Sequence, residues 1–214
     1  MRLISALYNS FYPFDSLNNV ANTEVATNED FVLEQGDVLI VWGGADIPTQ
    51  YYNKGRSSYS GAPVVPGYRD RVEWALMQQA KEKNIPIIGV CRGAQMLCAL
   101  SGGKLYQHVD NHSGGHEVVT ADGVKFTTNS IHHQMMEPDG TNHELIAWTP
   151  IRSGKYIDVA DGIDINREAP STKVDTEFIY FKDTKGFAIQ WHPEMMRWNS
   201  DATQYVLNYI NNHA

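Results

Sequence analysis

The chain of 214 residues has no apolar run that approaches the roughly 18 residues needed to cross a membrane. Its densest apolar stretch, Val38 to Trp42, has the length of a buried strand. Residues Met1 to Ser10 carry one Arg and no extended apolar segment leading into small residues. No signal peptide is therefore expected, and the cytoplasm is the expected compartment. Two cysteines, Cys91 and Cys98, are too few for a disulfide-built scaffold and read as thiols. Basic residues are too few and too scattered for a phosphate-binding face. The 17 Lys and Arg against 25 Asp and Glu leave a net charge of −8, which argues against a nucleic-acid partner. No Gly-x4-Gly-Lys-Ser/Thr loop is present, so any nucleotide-driven step would need a separate protein. Repeats and low-complexity tracts are absent as well. What remains is globular: 42% apolar and 20% charged side chains support a sizeable core, in one expected domain over residues 1–214.

The pattern along the chain points to an α/β fold. Leu3 to Leu7 and Asp37 to Trp42 read as strands, the second buried on both faces and ended by Gly43-Gly44. Asn18 to Asp30 is polar and weakly periodic, a short helix or a loop. Ala45 to Gly67, with Pro48, Gly55, Pro63 and Pro66, reads as a long loop. Arg69 to Lys83 has helical apolar spacing through Val72, Leu76 and Ala80, and Asn84 stops it before Pro86. An apolar strand, Ile85 to Val90, leads into a helix over Ala94 to Leu100, which gives a doubly wound pattern. Beyond Gly103 come short strand-like pieces, a polar segment over Ser153 to Thr172, and a closing helix over Ala202 to Asn212.

The sharpest local feature is Gly89-Val-Cys91-Arg-Gly93-Ala-Gln95. An apolar strand runs into a helix with a cysteine at the junction and a glycine two residues on, the thiol form of a nucleophile elbow. The helix amino terminus favours a thiolate there, and Gly93 is expected to relieve crowding in the tight turn. A strand-end cysteine packed as a small hydrophobe is the alternative. Cys98, among Leu97, Ala99 and Leu100, has no activating context and reads as core.

A cysteine nucleophile needs a base, and the base needs an orienter. Gln190-Trp-His192-Pro-Glu194 follows a strand, and residues two apart in extended chain share a side, so Glu194 can fix the His192 tautomer. The amide N–H of Arg92 and one at Gly43-Gly44 are candidate oxyanion donors. His108, His112 and His116 are spaced by four, which on a helix would suggest a metal site. Asn111 and Ser113-Gly114-Gly115 argue against a helix there, so these read as loop histidines, and neither metal nor cofactor is expected.

Together these residues resemble the class I glutamine amidotransferase-like superfamily, and within it the γ-glutamyl-γ-aminobutyrate hydrolase type of γ-glutamyl hydrolase. Further matching stretches are Gly43 to Pro48, Arg69 to Glu73, Gly115 to Val118 and Asn129 to Gln134, so the resemblance spans about three quarters of the chain. It implies a flavodoxin-like three-layer sandwich: a mostly parallel sheet, helices on both faces, and extra short strands in the carboxy-terminal half. It also implies Cys91 as nucleophile, His192 as base, Glu194 as orienter, and oxyanion donors at Gly44 and Arg92. Gly43, Gln95, His116, His133 and Gln134 are implied beside a γ-glutamyl substrate. The implied reaction is hydrolysis of a γ-glutamyl amide through a thioester. A glutaminase subunit feeding a separate synthetase or amidoligase is the alternative, and a non-catalytic binding module is disfavoured by the intact Cys-His-Glu set. Tyr51, Tyr52, Arg56 and Tyr59 lie in the long loop, which forms either a lid or leaving-group pocket or an ordinary surface loop.

Overall fold

A computed structural model describes all 214 residues. The elements, in chain order, are β1 (Arg2–Ala6), β2 (Asn22–Ala26), β3 (Asp37–Val41), α1 (Tyr68–Glu82), β4 (Ile87–Val90), α2 (Arg92–Leu100), β5 (Lys104–Tyr106) and β6 (His108–Val109). They continue with β7 (His116–Thr120), β8 (Lys125–Thr128), β9 (Met135–Glu137), β10 (His143–Pro150), β11 (Tyr156–Ala160), β12 (Ile163–Asn166), β13 (Val174–Phe181), β14 (Gly186–Ile189) and α3 (Asp201–His213). No helix is long and apolar enough to cross a membrane.

One nine-stranded sheet, in the order β2-β1-β3-β4-β14-β13-β10-β7-β8, organises the molecule. The first five strands are parallel, and from β14 onward each neighbour pairs antiparallel. The fold is therefore α/β with a large mixed sheet, parallel only in its first half. Strand alternation sends Leu39, Val41 and Ile87 to the face covered by α1 and α2. It sends Val38, Ile40, Ile88 and Val90 to the face covered by α3. Helices thus lie on both faces, and the central strands are apolar on both sides, as the continuous apolar runs require.

Local chemistry sets the element ends. Gly67 N–H donates to Asp70 Oδ2 at 2.8 Å and caps α1, while Asn84 takes a left-handed conformation (φ +57°) that ends it. Ser200 Oγ accepts from Thr203 N–H at the start of α3.

Three segments depart from the sequence expectation. Residues 18–30 contain neither a helix nor only loop, because β2 pairs in parallel with β1 and forms the sheet edge. The polar 153–172 segment is not merely a surface excursion: β11 and β12 form a hairpin that extends a small sheet with β6. The long loop at 45–67 is tied down, with buried Lys54 Nζ bonded to Glu137 at 3.0 Å and Asp158 at 2.8 Å. Pairings that close only in three dimensions explain all three. A polar edge strand has no apolar period of its own to announce it.

Candidate active site

The site is built at the carboxyl edge of β3, β4 and β14, where α2 begins. Cys91 occupies the β4–α2 junction with φ +49° and ψ −103°, a strained conformation for a residue with a Cβ. Its amide donates to Ile189 O at 2.7 Å, and its carbonyl accepts from Gln95 N–H at 3.0 Å, so both flanking elements hold the strain. Gly93 is required for a different reason from the crowded turn that its spacing suggests. A Cβ there would lie 2.0 Å from the Val41 carbonyl oxygen, so its absence lets α2 cross close over β3. Cys98 lies fully buried among core side chains, and burial pushes its thiol pKa up.

His192 follows β14, and its Nδ1 sits 2.7 Å from Glu194 Oε1. The two meet through a 3-10 turn at Pro193–Met195 that curls Glu194 back, not through the alternation of an extended chain. Asn129 locks the histidine backbone from the other side: His192 N–H donates to Asn129 Oδ1, and Asn129 Nδ2 donates to His192 O, both at 2.9 Å. His192 Nε2 is buried and makes no hydrogen bond. Burial by itself lowers the imidazolium pKa, but the adjacent Cys91 sulfur and the Glu194 carboxylate outweigh it and raise His192 from its ordinary 6.5 to about 10.

These groups open into a cavity of about 490 Å³. Gly43, Gly44, Cys91, His192 and Glu194 line it, together with Tyr8, Ser10, Trp42, Arg69, Ile131 and Met195. Gly43 packs against the histidine so closely that a Cβ would meet His192 Cε1 at 2.6 Å. Arg69 donates from Nη2 to Trp42 O at 2.9 Å and Gly43 O at 2.8 Å, and from Nε to Glu73 Oε1 at 2.8 Å. Its guanidinium also lies over the Tyr8 ring, 4.7 Å from the centroid. The Arg92 side chain turns away from the cavity into buried ion pairs with Glu73 and Asp70. Glu73 therefore ties Arg69 to Arg92, and the first turns of α1 and α2 are locked together beneath Gly43. The Arg92 amide, in the first turn of α2, has no acceptor within the helix and is available to an anion.

The other expected substrate contacts do not border this cavity. Gln95 is buried and donates to Gln134 O at 3.1 Å, and buried Gln134 donates to Gln107 O at 3.3 Å. His116 is buried with Nε2 2.7 Å from Glu177 Oε1. His133 is half-exposed with Nε2 3.0 Å from Asp46 Oδ1, a hydrogen bond that raises its pKa. Within the long loop, Tyr51 stacks on Trp74 and Tyr59 on His108, and none of Tyr51, Tyr52, Arg56 and Tyr59 lines the cavity. Tyr8, Ser10 and Met195 acquire their roles only from the fold, whereas Asn129 and Ile131 lie in the Asn129 to Gln134 stretch that carries the resemblance. Arg69 had a legible signal, since its spacing of four from Glu73 at a helix start marks an ion pair.

Residues 20–194 match the family description peptidase C26. Protein NtpR of Enterococcus hirae is 28% identical over 185 residues, which cover 83% of this chain and 75% of that protein. The gamma-glutamyl-CDP-amidate hydrolase of Campylobacter jejuni is 34% identical over 102 residues, 48% of this chain and 45% of that enzyme. In three dimensions, a glutamine amidotransferase of Thermotoga maritima superposes with a TM-score of 0.53 at 15% identity, covering 91% of this chain and 76% of that one. That likeness carries the fold alone.

Proposed function

The chain belongs to the peptidase C26 family of class I glutamine amidotransferase-like proteins, and from that premise we propose that it hydrolyses a γ-glutamyl amide through a thioester on Cys91. The observation that carries this reading is the unpartnered, buried Nε2 of His192 beside Cys91, on an imidazole whose Nδ1 is held by Glu194.

The chemistry runs in two halves. With His192 protonated, the Cys91 thiolate attacks the γ-carbonyl carbon, and the carbonyl electrons move to oxygen. Amide N–H groups of Gly44 and Arg92 hold that oxyanion, which has no counterpart in the ground state. The intermediate collapses as the C–N bond breaks, and His192 Nε2 gives its proton to the departing amine. Water then enters; His192 takes its proton as hydroxide adds to the thioester carbonyl. Expulsion of the Cys91 sulfur as a thiolate beside the protonated His192 restores the ion pair, and release of glutamate completes the cycle. Glu194 stabilises the imidazolium in both halves and prevents rotation of the ring. Tyr8, Trp42, Ile131 and Met195 give the leaving amine apolar walls, and Arg69 gives it a cation at the rim.

Glutamate release from a panel of γ-glutamyl amides, free glutamine included, tests the reading. The purified chain should release glutamate alone and accumulate an acyl adduct on Cys91 detectable by mass, and Cys91→Ala should abolish both. Full activity in Cys91→Ala would overturn the nucleophile. Release that begins only when a synthetase is added would replace self-sufficient hydrolysis by the glutaminase-subunit reading.

A further inference from the structure

Behind the cavity wall lies a second group of titratable side chains that the proposed chemistry does not use. Ser113 and Ile131 bridge antiparallel, Gly114 N–H donates to Ser130 O, and Ser130 Oγ donates to His112 O at 2.6 Å. This pairing brings His112 and His132 together, with ring centroids 4.7 Å apart. Both face Glu177, which projects from β13 on the same side as Asp175. The His112, His132 and Glu177 side chains are at most 1% exposed.

The hydrogen bonds around the group dictate where its protons sit. Asp175 Oδ2 accepts backbone N–H from Arg152 at 2.9 Å and lies 3.0 Å from His112 Nε2, so that nitrogen carries the histidine proton. His132 Nδ1 faces the Gln134 carbonyl oxygen at 2.9 Å, which only accepts, so His132 is protonated on Nδ1. The inward nitrogens, His112 Nδ1 and His132 Nε2, are then lone pairs without partners. They lie 3.7 and 4.0 Å from Glu177 Oε1, whose own proton donor is His116 Nε2 at 2.7 Å. Glu177 Oε2 is also buried without a partner. Three acceptors therefore converge within 4.8 Å of one another with no hydrogen between them.

We propose that His112 Nδ1, His132 Nε2 and the Glu177 carboxylate form a binding site for a divalent metal ion of the zinc class. Two imidazoles and a carboxylate are the donor set such an ion takes, and ligand atoms in a tetrahedral zinc site lie ~3.4 Å apart, so the three donors, now within 4.8 Å of one another, draw in by up to about 1.4 Å to close on it. The outer contacts have the form that metal-bound histidines show. Each ring gives its remaining N–H to a carboxylate or a backbone carbonyl, here Asp175 and Gln134 O. His116 orients the carboxylate. The ion would pin the segment between Asn129, which grips His192, and His132, with Ile131 of the cavity wall between them. The site is independent of the proposed reaction.

The test uses the full chain carrying Cys91→Ser, which removes the active-site thiol as a rival ligand. Refolded with Co²⁺, it should retain one equivalent after dialysis, with the visible absorption of a low-coordinate ion and no thiolate charge-transfer band. Two exchangeable, hyperfine-shifted ring N–H proton signals should appear, from His112 Nε2 and His132 Nδ1. Glu177→Gln and His132→Gln should each weaken Co²⁺ binding by about tenfold or more. No retained cobalt in the Cys91→Ser chain would overturn the site and leave a buried water or an extra proton among the three acceptors. Retention undiminished by both substitutions would overturn it too. Should the variants fail to fold, the N–H signals decide alone: fewer than two refute the assignment.

Discussion

Gly43→Ala places one methyl group against the proposed base and changes little else. The new Cβ would sit 2.6 Å from His192 Cε1, 3.3 Å from Nδ1 and 3.5 Å from Cys91 Cβ. Relaxed carbon contacts are about 3.5–4.0 Å, so the ring must retreat by about 1 Å. It has little room to do so, because Nδ1 is held at 2.7 Å by Glu194 and the backbone by both ends of the Asn129 amide. A displacement of about 1 Å at a catalytic group costs on the order of 100-fold in rate, or about 3 kcal/mol of barrier. The same overpacking should lower folding stability by about 1–3 kcal/mol. Gly61→Ala is the control, since a Cβ there meets only the Asp46 carboxylate, with Oδ2 at an ordinary 3.5 Å. Three measurements belong together: glutamate release, the rate of Cys91 alkylation by iodoacetamide, and urea unfolding. Gly43→Ala should lose both reactivities while remaining folded, and Gly61→Ala should match the parent. A Gly43→Ala protein with both rates at the parent's level would refute the placement of His192 as the base beside Cys91.

The raised pKa of His192 sets a pH signature. Its folded value of about 10 exceeds the unfolded 6.5, so the charged ring favours the folded state. That contribution is fully present below about pH 6.5 and is lost as pH climbs toward 10. The stability difference between parent and His192→Gln in urea should accordingly shrink across this window, and a difference that grows would contradict the sign. Loss of the same proton should give kcat/KM for glutamate release an alkaline limb near pH 10, where the amine can no longer be protonated. Arg92→Met removes the cation from a buried cluster in which its own side chain is 2% and that of Glu73 0% exposed. Arg69 still holds one oxygen of Glu73, so the loss should be about 3 kcal/mol in urea unfolding. Adding Glu73→Gln should recover part of it, and a single variant as stable as the parent would show that the cluster is not buried as described.

Much of this protein was legible in one dimension wherever a local rule operates. Apolar runs at Val38–Trp42 and Ile85–Val90 marked central strands because both faces of such strands must be covered, although the second begins to pair only at Ile87. The Gly89–Gly93 spacing around Cys91 marked the elbow, because a strand that turns at once into a crossing helix tolerates no side chains where backbones touch. Placement of His192 and Glu194 two apart was also enough to pair them, although a 3-10 turn and not strand alternation brings them together. Only the tertiary structure decided what surrounds these groups. The β3–β4–β14 pairing joins Gly43, Cys91 and His192, which are separated by up to 149 positions, and the amino-terminal Tyr8 and Ser10 complete the same wall. It likewise moved Gln95, His116, His133 and Gln134 off the cavity lining. His112 and His132 converge on Glu177 through a loop bridge and a distant strand, where no helical spacing could announce them. Sequence fixes which atoms can do chemistry, because that follows from residue type and local backbone. Which of them share a space depends on sheet order and side-chain burial, and those are set by the packing of the whole chain.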